Sequence, residues 1–143
     1  ESIKRIVGAG VPVMGHLGLT PQSIYKFGTY AVRAKEEAEA NLLVEHAKVL
    51  EAAGCFAIVL EKIPASLGAL VAQQVRIPII GIGAGAGVDG QVLVMHDLLG
   101  ITKNFSPRFL RRYLDLHSAI LNATKQYIQD VKQLDFPNNE EQY

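Results

Sequence analysis

A single cysteine, Cys55, stands among 143 residues, and tryptophan is absent. One thiol cannot form an internal disulfide, so the chain is no disulfide-stapled scaffold and suits a reducing compartment. An excess of either charge is also missing, since 14 Lys and Arg balance 14 Asp and Glu. Zero net charge leaves no electrostatic footprint for nucleic acid or an anionic membrane, and neither is an expected partner. No apolar run approaches the roughly 18–20 residues that span a bilayer. The opening Glu1-Ser2-Ile3-Lys4-Arg5 has no signal-peptide layout, and the lack of an initial Met points to a fragment or a processed product. What is present is 49% hydrophobic residues with modest Phe and Tyr, the composition of a globular domain with a core.

Four apolar, β-rich runs recur, at residues 11–14, 56–60, 77–82 and 92–95. They are continuous rather than alternating, as in parallel strands buried on both faces. A helical pattern fills residues 34–53, with Ala38, Leu42, Leu43, Val49, Leu50 and Ala53 as its stripe and Gly54 as its stop. A shorter helix is predicted over 65–75. Ser106-Pro107 reads as an N-cap followed by proline, opening a last helix that runs to about residue 134. Residues 135–143 read as an exposed tail. Alternating strands and helices imply α/β with a parallel sheet. A doubly wound sheet and a (β/α)₈ barrel both satisfy this, but a complete barrel usually takes about 250 residues, so four strands make half of one. The connection between the third and fourth runs is too short for a full crossover helix.

Polar chemistry gathers at the ends of these runs, where α/β proteins place ligands. The first is followed by Gly15-His16-Leu17-Gly18, the second by Glu61-Lys62, the third leads into Gly81-Ile82-Gly83-Ala84-Gly85, and the fourth is followed by His96-Asp97. Glu61 directly follows five apolar residues. A carboxylate so placed can serve as a general base, and it can equally sit in a salt bridge with Lys62. His16, between two glycines, can meet an anionic oxygen of a ligand or a backbone carbonyl. His96 and Asp97, as neighbours on a strand, would point to opposite faces. His46 and His117 fall within helical patterns and read as structural. Gly81, Gly83 and Ala86 match the dinucleotide fingerprint, but a strand rather than a helix follows, so a Rossmann site is rejected. A glycine loop for a phosphate or carboxylate stays open beside a plain tight turn. Thr20-Pro21-Gln22-Ser23 reads as a helix start, Cys55 as an inert core thiol, and no spacing resembles a zinc site.

Gly15-His16-Leu17-Gly18-Leu19-Thr20-Pro21-Gln22-Ser23 resembles the GHLGLTPQS motif of the ketopantoate hydroxymethyltransferases. Val59-Leu60-Glu61-Lys62-Ile63-Pro64 is similar to the V-L-E-x-[IV]-P segment of that family. Residues 79–85, then 89–94, then His96-Asp97-Leu98-Leu99-Gly100, resemble its long signature around strands seven and eight, and Pro107-Arg108-Phe109 the start of its final helix. The order and spacing hold over residues 1–131. The resemblance implies that residues 1–134 are the C-terminal half, strands five to eight, of a (β/α)₈ TIM barrel. It implies transfer of a hydroxymethyl group from 5,10-methylenetetrahydrofolate to 3-methyl-2-oxobutanoate, giving 2-dehydropantoate through a Mg²⁺-stabilised enolate. It further implies Glu61 as general base and His16 as a substrate contact. The Mg²⁺ ligands are expected in the absent N-terminal half, with none in this chain. The full-length enzyme is expected in the cytoplasm (the mitochondrion in a eukaryote) as a homo-oligomer, commonly a decamer, and this half alone is expected to be inactive. The alternative is a non-catalytic, phosphate-binding half-barrel or assembly module resting on the glycine run. One stretch departs from the family pattern: Thr29 and Ala34 stand where glycines are usual, which removes backbone freedom for φ > 0 and puts the closed shape of that loop in question.

Overall fold

The computed structural model describes residues 1–143, in two compact units, Glu1–Val92 and Leu93–Tyr143. The first unit is an α/β layer. Helix α1 (Ser2–Gly8) precedes strand β1 (Met14–Gly18), and a 3₁₀ turn (Pro21–Ser23) runs into the short helix α2 (Ile24–Phe27). Then come α3 (Glu37–Ala52), β2 (Ala57–Glu61), α4 (Ala65–Gln74), β3 (Ile79–Ile82) and the two-residue strand β4 (Gly90–Gln91). The four strands lie in the order β1-β2-β3-β4, all parallel. The expected α/β class and parallel sheet are therefore observed.

The strand register sorts the side chains onto two faces. Gly15, Ile58 and Ile79 align across the sheet, as do Leu17, Leu60 and Gly81. On this face Ile58, Leu60 and Ile79 are fully buried beneath Leu43 and Ala47 of α3 and Leu67 and Val71 of α4. Burying each such Leu or Ile contributes roughly 1.5–3 kcal/mol, and this cluster is the core of the unit. The stripe of α3 that turns inward is Ala40, Leu43, Val44, Ala47 and Leu50. Leu42 and Val49, placed in the stripe by sequence, are 53% and 62% exposed on its outer side. The opposite sheet face carries Met14, His16, Val59, Glu61, Ile80 and Ile82. It is open: Met14 is 46% exposed, and Val59, Ile80 and Ile82 are only partly buried.

Three expected elements are corrected. The first strand begins at Met14 rather than residue 11, so Gly15-His16-Leu17-Gly18 forms the strand instead of following it. Gly15 is tolerated there because α3 presses close. A Cβ at this position would lie 2.7 Å from Leu50 Cδ1. The fourth strand is Gly90–Gln91, and pairing ends where the Val92 amide donates to the Gly81 carbonyl (3.0 Å). Met95–Leu98, expected to begin in a strand, is helix α5, closed by Leu98 N donating to Val94 O at 2.9 Å.

The last helix is the third correction. In the second unit it spans Leu116–Lys132 (α6) and does not start at Ser106-Pro107. Its N-cap is Asp115, whose carboxylate accepts from the Ser118 amide (3.1 Å) and hydroxyl (2.6 Å). These bonds, the hydroxyl first, hold the Asp115 carboxyl below its ordinary value. Ser106-Pro107 lies instead in a loop gathered by Arg112, which donates to the carbonyls of Thr102, Lys103 and Phe105 at 3.2, 2.9 and 2.6 Å. A local cap signal yields there to a side chain that binds three carbonyls. Residues 135–143 are exposed.

Candidate active site at the ends of the first two strands

Glu61 is the last residue of β2, and His16 lies at the centre of β1. In the register His16 faces Val59, and Gly18 faces Glu61. Both polar side chains therefore emerge on the open face, two positions apart along neighbouring strands. His16 Nε2 lies 3.0 Å from Glu61 Oε2, with the two side chains 30% and 21% exposed. In the tautomer that protonates Nε2, the imidazole donates to one carboxylate oxygen and leaves the other free. The salt bridge weighed between Glu61 and Lys62 does not form; Glu61 is paired with His16 instead.

The backbone under Glu61 is tied from both sides. Its carbonyl accepts from the Leu19 amide (2.9 Å), just past the end of β1. Gly18 makes this approach possible: its φ is +92°, and a Cβ there would fall onto the Glu61 carbonyl. On the other side the Lys62 amide donates to Ile82 O at 2.8 Å. Lys62 then turns into the left-handed region at φ +52°.

The segment 29–34 closes over this turn. Arg33 N donates to Lys62 O at 2.9 Å, and the Lys62 ammonium donates to the Tyr30 carbonyl. The Arg33 guanidinium pairs with Glu39 and stacks over Phe27, 4.0 Å from the ring centroid. Ala34, where the family usually has glycine, still takes φ +53°, and its amide donates to Glu39 Oε2 at 2.8 Å. The loss of glycine therefore does not abolish the left-handed bend; Glu39 holds it. Arg33 and Glu39 were not singled out from sequence, and Lys62 was weighed only as a salt-bridge partner of Glu61. The one available signal was the position of Lys62 directly after the apolar strand and its terminal carboxylate.

A cavity of about 290 Å³ runs beside this site, lined by His16, Leu17, Thr20, Lys26, Arg33 and Leu42 among others. His16 and Leu17 lie on opposite faces of β1, so the cavity follows the free edge of that strand.

The remaining sequence candidates fall elsewhere. His96 and Asp97 lie on α5 in the second unit and make no side-chain hydrogen bond to each other. The glycine run is a packing device against α4: a Cβ on Gly85 would strike Ala65, one on Gly87 would strike Ala69, and one on Gly68 would strike the Ala84 carbonyl. Gln91 Nε2 braces the same loop through Gly85 O at 2.8 Å. Cys55 is buried, and burial pushes its thiol above the ordinary value, as suits an inert core residue. No group of three or more His, Cys, Asp or Glu side chains gathers to hold a metal ion, and His16 with Glu61 supplies only two donors.

A strand-end carboxylate bonded to an imidazole is a common arrangement, and the comparison with known proteins decides which family owns it here. The ketopantoate hydroxymethyltransferase family model matches residues 1–139. The chain belongs to that family. It is 68% identical over all 143 residues to the 3-methyl-2-oxobutanoate hydroxymethyltransferase of Parabacteroides distasonis, covering 52% of that protein. Identity to the enzyme of the same name is 67% in Christiangramia forsetii and 62% in Bacteroides thetaiotaomicron, again over the whole chain, with 53% and 52% of those proteins covered. The chain therefore spans about half the length of the curated relatives it matches. No helix is long and apolar enough to cross a membrane.

Proposed function

We propose that this chain carries the proton-abstracting half of a 3-methyl-2-oxobutanoate hydroxymethyltransferase, with Glu61 as the general base. The observation that carries the reading is the Glu61 carboxylate itself. It ends a buried strand, opens onto the uncovered sheet face and is bonded to His16 through one oxygen. Residues 1–134 then form strands five to eight of a (β/α)₈ barrel. In support, the sheet is covered by helices on one face only, the other face is apolar around the His16–Glu61 pair, and β1 has a free edge. A barrel interior needs a second set of strands to close it.

The chemistry follows from the acidity of C3 in an α-keto acid. Glu61 takes the C3 proton on its free oxygen, and the C–H electron pair passes into the enolate. C3 of the enolate bonds to the methylene carbon of 5,10-methylenetetrahydrofolate. The carbon–nitrogen bonds of that methylene break, tetrahydrofolate leaves, and water supplies the hydroxyl of 2-dehydropantoate. His16 donates to one Glu61 oxygen and so aims the carboxylate at the open face; the same ring stands close enough to that face to touch bound substrate. The Mg²⁺ ligands are proposed to lie in the remaining half of the full-length enzyme, where the metal would act as a Lewis acid on the keto acid. The full-length enzyme is proposed to be a homo-oligomer, a decamer in keeping with the family. Full-length protein incubated with 3-methyl-2-oxobutanoate and 5,10-methylenetetrahydrofolate should form 2-dehydropantoate and tetrahydrofolate in equal amounts. Consumption of neither substrate would overturn the reading.

A further inference from the structure

We infer that Lys62 is a positioning residue for this site: its left-handed turn and its ammonium latch the 29–34 segment onto the end of β2 and thereby fix the direction of the Glu61 carboxylate. The inference rests on the proposed role of Glu61 and adds to it the residue that sets its aim.

Three contacts meet at residue 62 and a fourth at residue 61. The Lys62 amide donates to Ile82 on β3, its carbonyl accepts from Arg33, its ammonium donates to the Tyr30 carbonyl, and the carbonyl of the preceding Glu61 accepts from Leu19. They come from three stretches of chain, so the peptide joining residues 61 and 62 is held on both sides, by Leu19 and Ile82, and the next peptide is held by the 29–34 segment. A non-glycine residue at φ +52° is costly, and such strain persists only where its surroundings over-determine it. The same strain recurs at Ala34, next to Arg33, whose amide forms the bond to Lys62. One strained residue thus accepts this hydrogen bond between two segments of the chain, and the other adjoins its donor, beside the proposed base. A regular continuation of β2 would send residue 62 to the opposite face and carry the chain onward past the sheet; the left-handed turn ends the strand at Glu61 instead. Without the ammonium, Tyr30 loses its donor and the 29–34 segment is held by the Arg33 amide, the Glu39 contacts and the Arg33–Phe27 stack.

The test uses the full-length enzyme with Lys62→Met, Lys62→Gln and Lys62→Arg beside Glu61→Gln. Two readouts are taken: amide hydrogen exchange at Arg33, and deuterium exchange at C3 of 3-methyl-2-oxobutanoate with its kcat and KM separated. Lys62→Met and Lys62→Gln should speed exchange of the Arg33 amide by about tenfold or more and lower kcat for C3 exchange by about tenfold or more. KM should stay within about twofold, since the latch acts on the direction of the base rather than on substrate binding. Lys62→Arg, which keeps a cationic donor, should restore both. An Arg33 amide that stays protected in Lys62→Met and Lys62→Gln overturns the latch. Unchanged kcat in both, while Glu61→Gln abolishes exchange, overturns the positioning role and leaves Glu61 as base. Undiminished C3 exchange in Glu61→Gln overturns both together. Equal damage from Lys62→Arg and Lys62→Met overturns the assignment to the ammonium.

Discussion

His16 and Glu61 meet across β1 and β2 at 3.0 Å, brought together because parallel register places His16 opposite Val59 and Gly18 opposite Glu61. With the imidazole on one carboxylate oxygen, the proposed mechanism gives the two residues unequal tasks: Glu61 abstracts and His16 orients it. His16→Asn keeps a donor of smaller reach and should slow C3 exchange less than Glu61→Gln does. A His16→Asn enzyme that exchanges as slowly as Glu61→Gln, or more slowly, would reverse the assignment.

Gly18 has no freedom to change. Its φ of +92° disfavours any side chain, and the Glu61 carbonyl occupies the space a Cβ would need. Gly18→Ala should cost at least the roughly 1–2 kcal/mol of a left-handed L-residue, and it should also loosen the Leu19–Glu61 bond. Thermal melts of the full-length protein should show a lower midpoint for Gly18→Ala. They should show little change for Gly8→Ala, since nothing lies within 4 Å of a Cβ at Gly8. Equal midpoints for the two variants would refute the packing argument.

Much of this site was legible beforehand, for identifiable reasons. β2, β3, α3 and α4 are continuous apolar or helical segments bounded by clear breakers such as Gly54 and Pro64, and sequence placed each within a few residues. Glu61 was legible because a carboxylate directly after a buried run is rare. β1 was placed too early because the apolar run 11–14 stops at Gly15-His16-Leu17-Gly18, whose two glycines carry no strand signal; one makes room for Leu50 and the other for the Glu61 carbonyl. The run Val92-Leu93-Val94-Met95 is too short for periodicity to separate strand from helix. The Lys62–Tyr30 and Arg33–Lys62 contacts join residues about thirty positions apart, and no local pattern announces them.

Asp115 gives a pH dependence confined to the start of α6. Its bonds from Ser118 hold the carboxyl below its ordinary value. A carboxyl depressed in the folded state stabilises above its unfolded pKa, and that contribution is lost as pH falls through the folded value. Protection of the Ser118 amide should therefore be full at neutral pH and decline only in acid, below the usual carboxylate range. Asp115→Ala should remove the dependence; its persistence in that variant would assign it to another group.

Residues 1–143 alone leave β1 with an unpaired edge and Met14, Val59, Ile80 and Ile82 on an open face. Such an edge pairs readily with another strand. The isolated chain should elute from size exclusion as an associated species and form no 2-dehydropantoate. Mixing with a polypeptide carrying the rest of the relatives' length should shift it to a defined complex. A cooperatively melting, active monomer would contradict the half-barrel account.

Glu61→Gln in the full-length enzyme tests the central claim most directly, because glutamine keeps the size and one hydrogen-bonding oxygen but cannot take the proton. Deuterium exchange at C3 of 3-methyl-2-oxobutanoate, followed by NMR without the folate co-substrate, isolates the abstraction step. The account predicts a fall of roughly 10²–10⁴-fold with substrate binding retained; exchange within a few-fold of the parent enzyme would contradict it.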